Sequence, residues 1–436
     1  MSEVSASRKK KKKKETFILR CFVCKTEYDI DDYGKFYKCV KCGNLLEVWR
    51  KPDSLPLISP ERRIYNGIWK YVDFIPLWNE ENIISLSEGG TPLVRCRNLE
   101  EILKIKTILV KFEGLNPTGS FKDRGMTAGV SKAFELGYQS AMCASTGNTS
   151  ASLAAYCSRG RMKCIVLVPK GKVAMGKIAQ AIAYGAEIFQ VDGNFDDSLR
   201  VASEICERDN KILLLNSLNP FRIEGQKTVS FEIVEQLGGR SPECIILPVG
   251  NGGNISAVWK GFLEISQDSL TRKIIHAVGT AGRPKIIGVQ AEGAAPIAKA
   301  FKAGKRESIE FVSDPHTEAS AINIGSPVSW RKAMSAIYES GGSSDSVSDE
   351  EILSAQRLLA SKEGLFVEPA SAVPIAYLTR IANQRGDQYE QLKDREIVCI
   401  CTGNGLKDPN IVLKGISPEK LQTVSADAKS LERILA

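Results

Sequence analysis

Short apolar runs alternate with longer amphipathic segments through most of the chain. Short runs rich in Val, Ile, Leu and Cys are typical of buried strands, whereas apolar residues spaced three and four apart are typical of helices. The strands predicted in this way are 107–110, 141–144, 164–168, 187–191, 212–216, 244–249, 286–291, 364–367 and 396–402. The helices predicted between them are 148–158, 175–184, 196–207, 222–237, 255–265 and 371–382. This alternation predicts an α/β fold with parallel sheets covered on both faces, in which ligands bind at the carboxyl ends of the strands.

Before these elements, four of the twelve cysteines form two Cys-x-x-Cys pairs, Cys21 with Cys24 and Cys39 with Cys42, separated by fourteen residues. Pairs at this spacing can place four thiolates tetrahedrally around zinc, within a small ribbon of strands expected at 36–37 and 45–48. Because four thiolates leave no open position for a substrate, the predicted zinc is structural. Two unconnected pairs and a redox dithiol are the alternatives.

The charge of the chain is concentrated at one end. Residues 8–14 carry seven of the 59 basic side chains, and the other 52 nearly balance the 51 acidic ones, although the net charge is +8. A run of like charges is most often a solvated, disordered tail, with binding of nucleic acid or an anionic surface as the alternative. Basic residues without a following apolar segment, and no apolar run of membrane-spanning length, predict a cytoplasmic protein.

The remaining cysteines and the histidines limit the possible chemistry. The other eight cysteines are scattered, mostly in apolar stretches, as expected of small buried side chains in a reducing compartment. Only two histidines occur, His276 and His316, and neither lies in a recognisable motif. A Ser/His/Asp triad or a His-rich catalytic metal site is therefore not expected.

Lys122 is the strongest candidate for a catalytic side chain. The turn residues Asn116 and Gly119 lead from the strand at 107–110 to Ser120, which is predicted to cap a helix with Lys122 in its first turn. The positive end of the helix dipole disfavours the charged ammonium, so we expect a lowered pKa for Lys122. A neutral amine is a usable nucleophile toward the aldehyde of pyridoxal phosphate (PLP).

Two loops supply candidate sites for anions, each between a predicted strand and a helix. Residues 145–150, Ser-Thr-Gly-Asn-Thr-Ser, offer hydroxyls and free backbone N–H groups that can hold a carboxylate. The glycines of residues 248–254, Pro-Val-Gly-Asn-Gly-Gly-Asn, let backbone N–H groups close around a phosphate. Together with Lys122 they provide the amine, the carboxylate site and the phosphate site that a PLP enzyme acting on an amino acid needs.

Two further positions complete this candidate site. Asn216, Ser217 and Arg222 end one strand and open a helix, where an amide, a hydroxyl and a guanidinium can bind a second anion. Thr402 ends the last apolar strand, where its hydroxyl could meet the pyridine nitrogen of PLP. A neutral hydroxyl there would limit protonation of that nitrogen and favour elimination chemistry.

Four motifs in this set resemble the threonine synthases, which belong to the tryptophan-synthase-β-like (fold type II) PLP enzymes. They are Asn-Pro-Thr-Gly-Ser-Phe-Lys-Asp-Arg-Gly-Met around Lys122, Ser-Thr-Gly-Asn-Thr-Ser around Asn148, Gly-Asn-Gly-Gly-Asn ending at Asn254, and Thr-Gly-Asn-Gly-Leu-Lys-Asp-Pro from Thr402. The resemblance runs from about residue 88 to 408, with further matches at 321–327 and 367–371. Some members also carry an N-terminal segment similar to a zinc ribbon.

The resemblance implies a role for each cofactor residue. Lys122 would form the Schiff base with PLP, Asn148 would hydrogen-bond the phenolic oxygen of the cofactor, and Thr402 would face its pyridine nitrogen. The cofactor phosphate would be bound by the glycine-rich loop, which consists of Gly250, Asn251, Gly252, Gly253 and Asn254.

The same resemblance implies the substrate and the reaction. The substrate carboxylate would be received by the loop that carries Ser145, Thr146 and Thr149, and the substrate phosphate by Asn216, Ser217 and Arg222. The implied reaction is that of a PLP-dependent lyase, in which O-phosphohomoserine and water give threonine and phosphate. The PLP lysine would move protons at the α and β carbons, and the departing phosphate would share the acid–base work.

The expected architecture has four parts. A basic tail (1–15) precedes a zinc ribbon (16–50), and a small α/β domain (125–225) is inserted in a large PLP domain (51–124 and 226–436). We expect the cofactor in the cleft between the two domains, and the resemblance implies a homo-oligomer, a dimer.

Three other functions are compatible with parts of this pattern. A cysteate synthase would use the same motifs to replace the phosphate of O-phosphoserine with sulfite, and the distance from the Asn148 loop to Arg222 would distinguish the two substrates. A threonine or serine dehydratase would not need the second anion site. A zinc-ribbon protein that binds nucleic acid through its basic tail would need a basic patch on the folded body, which is almost neutral.

Overall fold

The computed structural model describes residues 14–51, 66–171, 175–277, 282–413, 424–426 and 428–435. The predicted basic tail lies outside these residues except for Lys14 and Glu15. The strands in the described ranges are β1 Phe17–Cys21, β2 Glu27–Tyr28, β3 Leu46–Arg50, β4 Leu93–Arg95, β5 Thr107–Phe112, β6 Ser140–Ala144, β7 Lys163–Pro169, β8 Glu187–Val191, β9 Ile212–Leu214, β10 Cys244–Pro248, β11 Lys285–Ala291, β12 Ser343–Val347 and β13 Glu396–Cys401.

Helices separate most of these strands. The α-helices are α1 Arg97–Leu103, α2 Lys122–Glu135, α3 Asn148–Arg159, α4 Met175–Ala183, α5 Phe195–Arg208, α6 Pro220–Gln226, α7 Thr228–Gln236, α8 Gly253–Gln267, α9 Ser269–Ile274, α10 Pro296–Lys302, α11 Trp330–Glu339, α12 Asp349–Glu363, α13 Pro369–Gln384, α14 Asp387–Leu392, α15 Asn410–Leu413 and α16 Ala428–Leu435. Short 3₁₀ helices are Ile30–Asp32, Gly67–Phe74, Glu80–Asn82, Glu113–Leu115, Glu292–Ala294, Ser320–Ile322 and Gly405–Lys407. Within the part of the chain that the structure covers, no helix has both the length and the apolar character needed to cross a membrane.

The strands form three sheets. The largest has the order β12-β11-β10-β13-β5-β4 and is parallel except for the edge strand β4. A second, wholly parallel sheet has the order β8-β7-β6-β9. The third is a small antiparallel sheet of order β2-β1-β3 near the N-terminus. The predicted α/β fold with two parallel sheets and a preceding ribbon is confirmed.

The apolar runs that predicted the strands lie in the interior of the parallel sheets. Every residue of β10, Cys-Ile-Ile-Leu-Pro, is buried, as expected of a central strand covered by helices on both faces. The core of the β6–β9 sheet is continuous with that of the ribbon, because Phe17, Leu19 and Val48 belong to the same buried cluster as Met142 and Leu213. The ribbon is therefore packed against the smaller sheet.

The structure differs from the predicted elements in several places. The predicted strand at 364–367 is wrong, because Val367 makes only an isolated bridge with Asn404. The predicted helix at 222–237 is two helices, α6 and α7, which meet at Lys227. In the ribbon the strands are β1, β2 and β3, and the residues at 36–37 are not in a strand.

Strand β12 was not predicted because its sequence, Ser-Ser-Asp-Ser-Val, is polar. Its polar groups are paired within the fold: the Ser344 hydroxyl donates to the Gly288 carbonyl at 2.8 Å. The Asp345 carboxylate lies 2.5 Å from Lys302 Nζ and 2.8 Å from an Arg380 nitrogen. Pairing of this kind comes from residues distant in sequence, so the local pattern does not reveal it.

Candidate active site

The segments that follow β5, β6, β9, β10 and β13 meet in one cleft at the carboxyl ends of the two parallel sheets. The predicted site residues Lys122, Asn148, Ser217, Arg222 and Thr402 and all of loop 250–254 line this cleft. Its other lining residues are Phe121, Ile223, Gln226, Pro248, Val249, Ile255, Ala321, Ile322 and Glu368. Position at the carboxyl ends of parallel strands is where ligands bind in open α/β sheets.

Lys122 lies in the first turn of α2, as predicted, and is its first residue, but Ser120 does not cap this helix. Phe121 occupies the cap position, and the Ser120 hydroxyl is buried without a hydrogen-bond partner among the described residues. The chain is held here by the backbone, since Phe121 N donates to the Thr402 carbonyl at 2.9 Å and Ser120 pairs with Gly403. Pairing with the end of β13 thus replaces the expected side-chain cap.

The environment of the Lys122 amine favours its neutral form. Burial and, to a smaller extent, the nearby Arg222 guanidinium lower the pKa of Lys122 to about 7, against the opposing effect of Glu368. Nζ lies 4.4 Å from the centre of the Phe121 ring. The lowered pKa agrees with the expectation from sequence, but its main cause is burial, which the helix-dipole argument did not include.

A buried ion network fixes the helix that carries Lys122. Arg124 lies in the first turn of α2, with Nε 2.6 Å from Glu113 and Nη2 2.7 Å from Glu232. Glu232 is also 2.8 Å from Lys111 Nζ. These side chains are almost fully buried, so each charge depends on its partners. The network ties the start of α2 to β5 and α7 of the larger sheet.

Loop 145–150 opens helix α3 toward the cleft. Gly147 is the cap residue and no side chain caps the helix, which leaves backbone N–H groups of its first turn available to an anion. The Asn148 side chain lines the cleft, and its Nδ2 donates to both carboxylate oxygens of Glu368, at 3.1 and 2.9 Å. The other predicted residues of the loop, Ser145, Thr146 and Thr149, are half-buried beside the cleft rather than lining it.

Loop 250–254 opens helix α8 in the same way. Gly252 has φ +82°, and a Cβ atom there would lie 3.0 Å from the Ser329 carbonyl oxygen, so the position requires glycine. Helix α8 begins at Gly253 without a side-chain cap. Asn254 Nδ2 is buried without a hydrogen-bond partner in the described ranges, whereas Asn251 Oδ1 accepts from Val328 N at 3.3 Å. An unpaired donor beside free helix N–H groups fits a phosphate.

Arg222 is buried in helix α6 and has no acidic partner among the described residues. Its Nη1 donates to the Leu215 carbonyl at 3.2 Å, and its Nε has no hydrogen-bond partner in the part described. Burial lowers the pKa of Arg222 to about 10. Glycines at 125 and 129 of α2 allow this close approach, since a Cβ atom at Gly129 would lie 3.3 Å from Arg222 Cγ.

The two residues predicted beside Arg222 have different environments. Ser217 lines the cleft. The Asn216 amide instead bridges two strand ends, because its Oδ1 accepts from Ala144 N at 3.0 Å and its Nδ2 donates to Ala144 O at 2.9 Å. Asn216 therefore aligns the ends of β6 and β9, and its amide is already engaged.

The Thr402 hydroxyl is hydrogen-bonded to the hydroxyl of Ser371, a residue that the sequence argument did not assign. Gly403 N donates to Ser371 Oγ at 2.6 Å, and Ser371 Oγ lies 2.9 Å from Thr402 Oγ1. The Ser371 hydroxyl, which accepts from Gly403 N, can donate its own proton to Thr402 Oγ1, and the Thr402 proton is then available to a ligand acceptor. Glu368 is the other unassigned residue, and both belong to the Val-Glu-Pro-Ala-Ser match at 367–371.

The four cysteines of the ribbon lie together, with all four sulfur atoms within 4.8 Å of one another. The distance between sulfurs is 3.4 Å for Cys21 and Cys42 and 3.5 Å for Cys24 and Cys39. Tetrahedral zinc with bonds of about 2.3 Å to sulfur separates its ligands by a little under 4 Å, which is close to this arrangement. The Tyr28 hydroxyl lies 3.0 Å from Cys39 Sγ.

Comparison with known proteins identifies the family of the chain. The family model "Pyridoxal-phosphate dependent enzyme" matches residues 84–403. The chain is 49% identical to the threonine synthase of Methanocaldococcus jannaschii over 96% of this chain and 99% of the relative. It is 47% identical to the threonine synthase of Methanosarcina acetivorans, with 91% of this chain and 94% of the relative covered.

Solved structures share the fold. Maize serine racemase superposes with a TM-score of 0.63 at 20% identity, with 80% of this chain and 96% of the racemase covered. This likeness concerns the architecture, whereas the threonine synthases match most of the sequence. The chain belongs to the threonine synthase family of pyridoxal-phosphate-dependent enzymes.

Proposed function

We propose that this protein is a threonine synthase, a carbon–oxygen lyase that uses PLP to convert O-phosphohomoserine and water into threonine and phosphate. The observation that carries the proposal is a cleft with an amine of pKa about 7 at Lys122 and, facing it, a buried guanidinium at Arg222 without an acidic partner in the described ranges. A PLP enzyme whose substrate carries a phosphate needs both groups. The identity of 47–49% to named threonine synthases supports the same function.

The residues of the cleft fit the cofactor. Lys122 would hold PLP covalently, and the N–H groups at the start of α8 with the unpaired Asn254 amide would bind its phosphate. Thr402 would donate its single proton to the pyridine nitrogen and would accept the Ser371 proton at its own oxygen, since Ser371 Oγ accepts from Gly403 N. Bound PLP supplies an electron sink next to the α carbon of the substrate.

The remaining roles belong to the side chains that face the substrate. The free N–H groups of α3, together with the Asn148 loop, would hold the carboxylate, and Ser217 and Arg222 would hold the phosphate. Lys122, once released from the cofactor, would carry protons between the α and β carbons, since its pKa near 7 lets it both accept and donate near neutral pH. Asn148 would be oriented by its hydrogen bonds to Glu368.

Use of O-phosphoserine with sulfite is not favoured. The relatives compared with this chain at 47–49% identity are named threonine synthases, and they cover more than nine-tenths of it. A nucleic-acid-binding protein with a non-catalytic α/β body is likewise not supported, because the body provides a PLP-type cleft.

The N-terminal cysteines would bind one structural zinc ion. The close approach of four sulfurs supports this assignment. We propose in addition that the enzyme acts in the cytoplasm as a homodimer, and that its small domain spans residues 125–225, a range that contains the whole β8-β7-β6-β9 sheet.

The test is a substrate comparison with purified protein. Phosphate release from O-phosphohomoserine, with threonine as the product, is expected, and Lys122→Ala should lower kcat by a factor of at least about 10³ because both proton transfer and cofactor attachment are lost. Lys163→Ala is the matched control, since Lys163 is an exposed lysine that pairs with Glu187. Phosphate release only from O-phosphoserine with sulfite would contradict the proposal.

A further inference from the structure

The ribbon (residues 16–50) contacts the elements on both sides of the cleft. On the large-sheet side, Lys332 Nζ donates to the Leu46 carbonyl at 2.9 Å, and Lys260 Nζ donates to the Val48 carbonyl. Lys260 lies in α8, the helix that begins at the candidate phosphate loop. The same lysine pairs with Glu224 of α6 at 2.7 Å. Strand β3 is therefore bonded to helices that carry the candidate site.

On the small-sheet side, the contacts come from two tyrosines between the cysteine pairs. The Tyr37 hydroxyl accepts from Leu214 N at 3.2 Å, at the end of β9. The Tyr33 ring meets Phe221 edge-on, with centroids 5.2 Å apart and an interplanar angle of 83°. Phe221 is the neighbour of Arg222, so Tyr33 packs directly on the helix turn that presents the guanidinium.

Tyr33 and Arg222 each bury a polar atom that makes no hydrogen bond within the described residues. The Tyr33 hydroxyl and Arg222 Nε are both buried without a hydrogen-bond partner among the described residues, and each residue is at most 2% exposed. The two groups lie close enough to act on each other electrostatically: burial raises the pKa of Tyr33, and the Arg222 cation partly opposes this rise. The phenol oxygen can only accept from Arg222, which has no acceptor of its own.

We propose that Tyr33 is a positioning residue for Arg222, and that the ribbon thereby forms the rear wall of the substrate-phosphate site. The inference rests on the proposed function of that site. Phenylalanine would give the same edge contact with Phe221 and would not bury an unpaired hydroxyl, which costs free energy. Packing alone therefore does not explain the Tyr33 hydroxyl. We infer that it accepts a hydrogen bond from Arg222 Nε and fixes the guanidinium plane when phosphate binds.

The test compares three full-length holoenzymes: wild type, Tyr33→Phe and Tyr377→Phe. Tyr377 is an equally buried tyrosine of the large-sheet core, so its substitution is the matched control. For Tyr33→Phe, the KM for O-phosphohomoserine and the inhibition constant of inorganic phosphate should each rise about 5- to 30-fold, which corresponds to one lost hydrogen bond worth about 1–2 kcal/mol. The kcat should change less than about 2-fold, and the cofactor absorbance should be unchanged. Unchanged phosphate affinity in Tyr33→Phe would overturn the inference.

A double-mutant cycle separates positioning from general damage. In an Arg222→Lys background, Tyr33→Phe should weaken phosphate binding by less than about 2-fold, because the partner of the hydroxyl is gone. Equal losses in both backgrounds would show that Tyr33 acts only through stability, and the inference would fail.

The inference and the proposed function fail in different measurements. Direct calorimetric titration of the holoenzyme with inorganic phosphate needs no turnover. If the wild type releases no phosphate from O-phosphohomoserine but Tyr33→Phe still weakens phosphate binding, the proposed reaction is wrong and the role of Tyr33 stands. If the wild type makes threonine and Tyr33→Phe has the same KM and the same phosphate affinity, the proposed reaction stands and the role of Tyr33 is wrong.

Discussion

Replacement of Arg222 by methionine should abolish phosphate binding at the proposed substrate-phosphate site without loss of stability. The side chain is buried in α6, makes one hydrogen bond to the Leu215 carbonyl, and has no acidic partner in the described part of the chain. Methionine has similar length and can fill the same apolar space beside Gly129. The prediction is that function is lost while the fold is kept.

The magnitude follows from the environment of the guanidinium. Burial lowers the pKa of Arg222 to about 10, a change that corresponds to about 3 kcal/mol of lost solvation at 1.36 kcal/mol per pH unit. The substitution also leaves the Leu215 carbonyl without its hydrogen-bond donor, which lowers the free energy of unfolding by about 1–3 kcal/mol and opposes this gain. Without phosphate, Arg222→Met should therefore be as stable as the wild type or up to about 2 kcal/mol more stable.

Arg124 provides the contrasting control. It is as deeply buried, but two carboxylates hold it, those of Glu113 and Glu232. Arg124→Met leaves these carboxylates buried without their cation and should lower the free energy of unfolding by about 3–5 kcal/mol. The comparison isolates the effect of having or lacking a counter-ion.

The assay is urea unfolding of each variant with and without inorganic phosphate. Phosphate at a hundred times its dissociation constant should stabilise the wild type by about 2.7 kcal/mol and should not stabilise Arg222→Met. The KM for O-phosphohomoserine should rise at least about 100-fold in Arg222→Met, since two or more charge-assisted hydrogen bonds are lost. The reasoning is refuted if Arg222→Met loses more than about 2 kcal/mol in phosphate-free buffer, or if it keeps the phosphate-dependent stabilisation.

Three further predictions concern the amine, the ribbon and the helix crossing. The rate at which apoenzyme attaches PLP should rise with pH through about 7, because burial and Arg222 lower the pKa of Lys122 to about 7 and only the neutral amine attacks. The rate is measured from the change in cofactor absorbance at each pH, and a pH midpoint near 10 would contradict the prediction. Cys39→Ser should reduce bound zinc from one ion per chain to almost none and lower the free energy of unfolding by several kcal/mol. Metal analysis and urea unfolding check this, and a wild type that is equally stable with and without zinc would contradict it. Gly225→Ala should lower the thermal unfolding temperature and raise KM, since its Cβ would lie 1.8 Å from the Arg124 carbonyl oxygen. The control is Gly386→Ala, whose Cβ would have no atom within 4 Å and which should have little effect on either quantity.

The sequence predicted the parts of the fold that depend on local pattern. The alternation of apolar strands and amphipathic helices identified both parallel sheets, because a strand buried on both faces needs a continuous apolar run. The glycine-rich loops were found for a related reason, since a segment such as 250–254 needs glycine to turn from a strand into a helix. Lys122 could be assigned because its motif combines a turn with the first turn of a helix.

The remaining features depend on contacts between distant segments. Glu368 is 220 residues from Asn148, the residue it orients, and Ser371 meets Thr402 only because α13 packs beside the end of β13. The engagement of Asn216 with Ala144 has the same origin, since it requires β6 and β9 to be neighbours. No local pattern encodes these distances, so the side chains that orient the predicted site residues had to come from the structure.

Arg124 and Arg222 differ in their counter-ions, and this difference supports the proposal that Arg124 serves the fold and Arg222 serves a ligand. The two arginines lie on helices α2 and α6, whose backbones approach so closely that position 225 must be glycine. Arg124 has its counter-ions within the protein, so its burial is compensated whether or not a ligand is bound. Arg222 has none among the described residues, and its burial lowers stability until an anion arrives through the cleft. If Arg222 binds the substrate phosphate as we propose, its guanidinium is preorganised for that role. Its desolvation has already been offset by the folding of the chain and need not be offset again on binding.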